Sequence, residues 1–327
     1  MADKPKLAIY WSSSCGGCEV AVVNLHEKLL DVDGHFDFMF CPCLLDTKVK
    51  DVEALPDGAI AITLFNGAIR TSENLEMARL MRRKSQVLVA FGACSSGGGI
   101  PALSNLSSRD EHWRTLYLDG RCGSSPALPQ TRWSVPEGEL ELPEFFAAVG
   151  TLADAVEVDY FVPGCPPEPA RVWDVVEAII EKRPLPPKGS VLGGGVSSVC
   201  RECSREKKDK SIARFFRSYE IEPDAEQCLL DQGLLCMGVV TRDGCGAMCP
   251  RVNVACTGCY GPAEGVADQG AKMLAALGSV LDTGDRKGRT EAQLAASADA
   301  AAVGIPDPAG ALYKFSLAAS RLRGRRQ

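Results

Sequence analysis

The sequence predicts an α/β fold with a doubly wound parallel sheet, followed by a smaller, irregular, cysteine-rich domain. Three observations carry that prediction. Short apolar runs alternate with helical ones from Leu7 to about Glu181, the pattern of a parallel sheet with crossover helices. Three of those runs end in the same punctuation, a tight loop containing cysteine: Trp11-Ser-Ser-Ser-Cys15-Gly-Gly-Cys18-Glu19, Gly92-Ala-Cys94 and Pro163-Gly-Cys165-Pro-Pro167. Beyond Gly193-Gly-Gly195 the composition changes, and eight cysteines fall between Cys200 and Cys259 with little sustained hydrophobic periodicity. A segment that poor in core needs metal to fold.

Taken in order, Leu7-Ala-Ile-Tyr-Trp11 reads as a strand, and the Cys15 loop leads into a helix from Glu19 to Leu30 that closes in the turn signal Asp31-Val-Asp-Gly34. Strands are expected at Phe36 to Phe40 and Ala59 to Phe65, then a helix from Glu73 to Lys84 and a strand from Val87 to Phe91. Residues 100–143 have no clean period, and their prolines, serines and glycines predict an irregular excursion before a helix near Glu144 to Leu152. A strand from Val158 to Val162 gives way through Cys165 to a helix from about Glu168 to Glu181. Arg183-Pro-Leu-Pro-Pro-Lys-Gly-Ser190 then breaks regular structure. The expected domains are residues 1–185, a cysteine-rich region at 186–285 and a C-terminal extension at 286–327. No low-complexity tract or regular 20 to 50-residue repeat is evident.

A chain of 327 residues with 46% hydrophobic residues can bury a substantial core and is long enough for about two domains. Its net charge of -6 argues against a general nucleic-acid binder; the basic Arg321-Leu-Arg-Gly-Arg-Arg-Gln327 reads as a solvated tail or a partner contact. No apolar stretch approaches the roughly 20 residues of a membrane span, and neither a signal peptide nor a twin-arginine leader is recognised, so the expected compartment is the cytoplasm. There, 15 cysteines are expected to bind metal rather than form disulfides.

Functional loops of an open parallel sheet gather at the carboxyl ends of its strands, so Cys15, Cys18, Cys94 and Cys165 can meet as a four-thiolate cage. Alone, Cys15-Gly-Gly-Cys18 fits a redox dithiol or half a zinc knuckle equally well. Two glycines let backbone approach a bound object, and a helix start there favours negative charge. Downstream, Cys200-Arg-Glu-Cys203 and Cys256-Thr-Gly-Cys259 bracket Cys228, Cys236, Cys245 and Cys249, which divides into two sets of four. Two structural zinc sites are one reading of those eight. Cysteines spread over several strand ends, the last followed by proline, favour cubane iron–sulfur clusters, and three [4Fe-4S] clusters use twelve cysteines. Cys41, Cys43 and Cys122 remain, expected as free thiols packed like small hydrophobes, with Cys41 and Cys43 following a strand near the first cluster.

His26, His35 and His112 form no cluster, and no hydrolytic triad or phosphate-cradling glycine motif is present. Glu19 and Glu168 each follow a cysteine loop at a helix start, where the dipole stabilises a carboxylate by about 0.3–1 kcal/mol. That structural role is the default for both; a proton relay at Glu19 is the sharper reading, since a carboxylate beside a cluster can have a perturbed pKa.

With these motifs in place, the chain resembles the small, electron-transferring subunit of [NiFe] hydrogenases over most of its length. Asn66-Gly-Ala-Ile-Arg-Thr71, Cys228-Leu-Leu-Asp-Gln-Gly-Leu-Leu-Cys236-Met-Gly and Cys256-Thr-Gly-Cys259-Tyr-Gly-Pro262 look closest to the cytoplasmic methyl-viologen-reducing (F420-non-reducing) branch, which partners heterodisulfide reductase. The resemblance implies a flavodoxin-like domain with a proximal cluster on Cys15, Cys18, Cys94 and Cys165. It further implies a medial cluster on Cys245, Cys249, Cys256 and Cys259 and a distal one on Cys200, Cys203, Cys228 and Cys236. Many exported hydrogenases have histidine at the position of Cys200 and a non-ligand near that of Cys249, so this sequence departs from them towards all-cysteine ligation. By the same resemblance, hydrogen is split on a nickel–iron large subunit, this chain holds no nickel, and electrons pass on to a small iron–sulfur subunit and a heterodisulfide-reductase-like flavoprotein complex. The loop from Asn66 to Thr71 is expected at the cluster edge of the sheet, facing the large subunit or serving simply as a βα turn. A complex-I-like 20-kDa subunit would share the first domain but would not need Cys200 to Cys259. A zinc-stabilised scaffold is the reading from another class.

Overall fold

The computed structural model describes residues 4–119, 127–208, 211–282, 288–305 and 307–322, so Cys122 and most of the basic tail lie outside the described residues. The chain divides into two compact units: residues up to Gly193 together with the end of the chain from Leu317, and Gly194–Ser316.

The first unit opens with β1 (Lys6–Trp11), α1 (Gly17–Val23), α2 (Lys28–His35), β2 (Asp37–Phe40), α3 (Val49–Glu53), β3 (Ile60–Asn66), β4 (Ile69–Thr71), α4 (Ser72–Lys84) and β5 (Ser85–Phe91). It continues through α5 (Ala93–Gly97), a 3-10 segment (Ile100–Leu106), α6 (Arg109–Trp113), the hairpin β6 (Arg132–Val135) and β7 (Gly138–Glu141), β8 (Phe145–Gly150), α7 (Leu152–Ala155), β9 (Tyr160–Val162) and α8 (Pro169–Ile180). Five strands form one sheet in the order β2-β1-β3-β5-β9. Every pairing in it is parallel, with Ile9 opposite Leu64, Leu64 opposite Val89 and Val89 opposite Tyr160. This is the flavodoxin-like order, with the chain reversing direction across the sheet after β2.

Successive side chains on a strand face opposite ways, and the apolar runs use both faces. Leu7, Ile9, Leu64, Val89 and Phe91 pack with Val22 of α1 and Val172 and Val175 of α8. Ala8, Tyr10, Phe65, Leu88 and Ala90 pack with Met77 and Met81 of α4 and Leu152 of α7. Each large side chain so buried contributes about 1.5–3 kcal/mol towards holding the helices on the sheet. At the amino end of β9, fully buried Asp159 pairs with Arg82 at 2.6 Å and Lys188 at 2.5 Å and accepts from the Leu88 amide.

Two local expectations are corrected. The helix expected from Glu19 to Leu30 is broken: α1 ends at Val23, and His26 takes a left-handed φ of 53° before α2 begins. The break turns Leu25 inward and lets Val32 reach the same core, so the supposed turn at Asp31 to Gly34 lies inside α2. The helix expected near Glu144 to Leu152 is instead β8, antiparallel to β4, followed by the short α7. Asn105 replaces a second neighbouring strand: its amide nitrogen donates to the Val149 carbonyl at 2.9 Å and its oxygen accepts from the Val149 amide at 2.8 Å. Those backbone bonds override the helical preference of Ala147 and Ala148. Thr151 then caps α7 with Asp154 in a capping box.

The second unit contains α9 (Val199–Glu202), α10 (Met248–Arg251), α11 (Gln269–Val280), α12 (Glu291–Ala302) and α13 (Pro308–Tyr313). Residues 203–208 and 211–247 are almost entirely loop, joined by isolated bridges such as Glu206 to Gln227 and Phe216 to Leu234. Side chains do the joining that a sheet would otherwise do. Arg205 is buried and donates to the carbonyls of Pro250, Asp224 and Gln227 and to Asn253 Oδ1. Gln269, at the start of α11, donates to the Gly258 and Gly261 carbonyls and to Thr241 Oγ1. No helix of the described residues is long and apolar enough to cross a membrane.

Candidate metal centres

Three sheet strands deliver the first set of thiols. After β1 the chain runs through Cys15, which is exposed, and Gly16 at φ 81° into α1, whose second residue is the buried Cys18. After β5 it turns at Gly92, φ 88°, into α5, whose second residue is the buried Cys94. After β9 it turns at Gly164, φ 129°, into Cys165, joined to Pro166 by a cis peptide. A Cβ on Gly92 would collide with Cys18 Sγ, and one on Gly99 with Cys94 Sγ, so the backbone packs directly onto sulfur.

The four thiols share one electrostatic environment. Burial pushes Cys94 up to about 12, with Cys165 and Cys15 adding to the rise. Cys18 is raised further, by burial first and then by Glu19, Cys94, Cys165 and Cys15. Packing four thiols together, with no carboxylate or imidazole completing the set, suits a body that supplies positive charge to thiolates, as an iron–sulfur cluster does. The donor chemistry and the glycine cradle therefore fit the expected group. Among the described residues, no three histidine, cysteine, aspartate or glutamate side chains converge tightly enough to hold a single metal ion.

Beside this site, Glu19 is buried, and both its oxygens accept from Asn66 Nδ2, at 2.9 and 2.8 Å. Burial raises the Glu19 pKa, and the Asn66 bond opposes the rise. Asn66 also donates to Ser14 Oγ at 2.8 Å, which ties the end of β3 to the Cys15 loop. Sequence reasoning placed Asn66 in a loop of interest but missed this partnership; an amide closing the apolar run of β3 was the available signal. Glu168 is half-buried as the residue before α8 and makes no side-chain cap. Cys41 and Cys43 follow β2 as free thiols with sulfurs 3.5 Å apart, Cys41 buried and Cys43 exposed.

In the second unit, Cys200, Cys203, Cys228 and Cys236 line one cavity together with Arg205 and Lys207. Burial, then Cys236, pushes Cys200 up to about 12, while the Lys207 ammonium pulls it down. Gly238 lies beneath the set: a Cβ there would sit 3.6 Å from both Cys200 Sγ and Cys236 Sγ. The remaining four cysteines form two sequence-local pairs. Cys245 is raised by burial, with Glu202 and Cys249 adding, and lowered by backbone amides of Ala247 and Met248. Its loop hangs from Glu202, whose two oxygens accept from the Gly244 and Gly246 amides at 3.0 and 2.9 Å. Cys256 is raised by burial, then by Cys236 and Cys259. The Arg242 amide donates to Gly261, so the strands of loop carrying the two pairs are tied together. None of the described cysteines is joined in a disulfide.

A parallel sheet with thiols at three strand ends is continued by a loop-built domain with eight more, the class of fold that the hydrogenase chains below share. The structure superposes on a chain of the [NiFeSe]-hydrogenase of Dm. baculatum with a TM-score of 0.50 and 19% identity, covering 80% of this chain and 95% of that one, which shows the shared fold. Residues 15–179 match the family described as NADH ubiquinone oxidoreductase, 20 Kd subunit. The likeness to hydrogenase chains goes further along the sequence. It is 43% identical to the iron-sulfur subunit of the F420-non-reducing hydrogenase of Archaeoglobus profundus over 84% of this chain and 88% of that protein. It is 35% identical to an F420-non-reducing hydrogenase subunit of Methanothermobacter marburgensis over 98% of this chain and 96% of that one. The chain belongs to this family of F420-non-reducing hydrogenase iron-sulfur subunits. Because these matches run through Cys200 to Cys259, they favour a hydrogenase subunit over a 20-kDa complex-I-like chain limited to the first domain.

Proposed function

We propose that this chain is the electron-transfer subunit of a cytoplasmic hydrogenase complex, relaying electrons between a nickel–iron site on a separate large subunit and a downstream iron–sulfur and flavin partner of the heterodisulfide-reductase type. The observation that carries the reading is that Cys15, Cys18, Cys94 and Cys165 follow the parallel strands β1, β5 and β9 at one edge of the sheet, with Gly92 packed against Cys18 Sγ. Cys15, Cys18, Cys94 and Cys165 would hold the proximal [4Fe-4S] cluster. Cys245, Cys249, Cys256 and Cys259 would hold the medial one, and Cys200, Cys203, Cys228 and Cys236 the distal one. Residues 1–185 form the proximal-cluster domain in this reading, 186–285 the domain of the other two, and 286–327 an extension.

When bound, such clusters supply one-electron redox chemistry at potentials set by nearby charge, hydrogen bonding and solvent exposure. The protein's own part is to hold and insulate. Thiolates fix each site, the buried positions of Cys18, Cys94, Cys236 and Cys256 keep water from the sulfurs, and Arg205 and Lys207 set positive charge beside the distal quartet. Asn66 orients the Glu19 carboxylate next to the proximal quartet, where Glu19 would pass protons that accompany electron flow. Anaerobic purification of the native complex tests the reading. Brown protein with about twelve iron and about twelve labile sulfide per chain, co-purifying with a nickel-bearing subunit, is expected. Zinc in place of iron, or a complex without nickel, would overturn it.

A further inference from the structure

The first unit contains a cavity of about 1020 Å³ that the cluster sites do not use. Its most unusual member is Arg70 in β4. The side chain is 5% exposed, its guanidinium lies over the Phe145 ring at 3.9 Å, and its Nη1 has no hydrogen-bond partner. Natural proteins rarely bury an arginine without an acid, because a charge taken out of water must be paired. No carboxylate of the described residues pairs with it, and the charge that acts on it is another cation, Arg109. Glu73 and Glu111 also line the cavity, but Glu111 is spent on capping α6 through the Ser108 amide, and neither bonds Arg70. The guanidinium is therefore built for an anion that none of the described residues provides.

The rim says what kind. Leu116, Tyr117 and Leu142 line the cavity and are exposed, and Trp113 and Phe145 add aromatic surface to it. Exposed apolar surface around a buried arginine is the composition of a protein-docking hot spot rather than of a soluble-ion site. The cavity also adjoins the first thiol loop. Ser13, two residues before Cys15, lines it and donates to Asn74 Oδ1, which in turn accepts from the Arg70 and Thr71 amides.

We infer that this cavity is a docking socket in which Arg70 receives an acidic side chain of the hydrogenase large subunit, its carboxylate seated against Phe145 and surrounded by an apolar seal. The inference rests on the function proposed above and names the residue that would make the contact. Among the described residues Arg70 is a buried charge without a counterion; in the complex it is one half of a desolvated ion pair. Opposite effects on folding and on assembly follow from that difference.

The test compares native complexes carrying wild type, Arg70→Gln, Arg70→Lys and the control Arg79→Gln, whose side chain is exposed on α4. Retention of the large subunit is followed against salt, iron content is measured in each, and thermal unfolding is followed in the free chain. Arg70→Gln should keep its iron, leave the unfolding midpoint unchanged or raised, and weaken large-subunit binding at least ten-fold. Arg70→Lys should recover part of the binding, and Arg79→Gln should match wild type. Equal retention by Arg70→Gln overturns the socket alone, as does protection of the free chain by inorganic phosphate or acetate through Arg70 with no effect on assembly. A wild-type chain with no nickel-bearing partner overturns the socket and the proposed function together.

Discussion

Arg205→Met is the substitution that should most cleanly separate the two units. The guanidinium is buried and satisfies four acceptors in two stretches of chain, 224–227 and 250–253: Pro250 O at 2.9 Å, Asp224 O at 2.7 Å, Gln227 O at 2.9 Å and Asn253 Oδ1 at 2.5 Å. Both stretches adjoin candidate ligands, since Gln227 precedes Cys228 and Pro250 follows Cys249. A hydrogen bond from a charged donor contributes about 1.5–3 kcal/mol, and an orphaned buried acceptor costs about 1–3 kcal/mol. Four such losses cannot add fully, because loops relax and water enters, and the charge no longer has to be buried. A net loss of about 3–5 kcal/mol is expected, a large fraction of the roughly 5–15 kcal/mol that stabilises a domain. Lysine should not rescue, because one ammonium cannot span acceptors arranged around a planar fork. Urea unfolding followed by limited proteolysis reads the effect unit by unit. Loss should be confined to Gly194–Ser316, with iron falling there while the first unit keeps its midpoint. A variant within about 0.5 kcal/mol of wild type would refute the idea that one side chain holds these loops in place.

Other outcomes follow from the same geometry. Gly92→Ala must place a methyl against Cys18 Sγ at φ 88°, so it should cost about four iron atoms per chain by iron assay and leave the second unit's proteolysis pattern unchanged. Asp159→Asn should cost about 2–4 kcal/mol in urea unfolding at neutral pH, because Arg82 and Lys188 lose their buried acceptor. Burial would raise the Asp159 pKa, but hydrogen bonds from Lys188 and Arg82 hold it below the ordinary carboxylate value of about 3.9. Its contribution is therefore complete above that value and lost as pH falls through the lower, folded one. The variant should flatten that acid limb of a pH–stability curve. Removing iron with a chelator should leave the first unit's circular dichroism and protease resistance largely intact while the second unit becomes cleavable between Cys203 and Cys256.

The sheet was legible because a parallel strand covered on both faces has to be apolar almost throughout, and Leu7 to Trp11, Ala59 to Phe65 and Val87 to Phe91 have no other reading. The first thiol set was legible for a related reason: once three strands are parallel, their following loops share an edge. Strand β8 was not legible. Phe145-Phe-Ala-Ala-Val-Gly150 carries no period that separates strand from helix, and what decides it is the Asn105 amide, 44 residues earlier. The break after α1 was hidden for the same kind of cause, since only the core tells Leu25 to point inward. Arg70 stands in a motif quoted from the sequence, yet its missing counterion is visible only when its surroundings are known.

The two units hold their cysteines by different physics. In the first, Cys18 and Cys94 sit on the opening turns of α1 and α5, and those helices are fixed by a sheet whose faces bury Ile9, Phe65, Val89 and Phe91. The thiol positions there are set by the packing of an apolar core. In the second, Cys228, Cys245 and Cys256 stand on loops whose positions come from Arg205, Glu202 and Gln269 acting on backbone groups. A carboxylate or guanidinium clamp fixes a few atoms and leaves the chain between them to be ordered by the bound group, so metal affinity there includes the cost of folding the loop. Affinity for iron should therefore be higher at the sheet edge for equal numbers of thiolates.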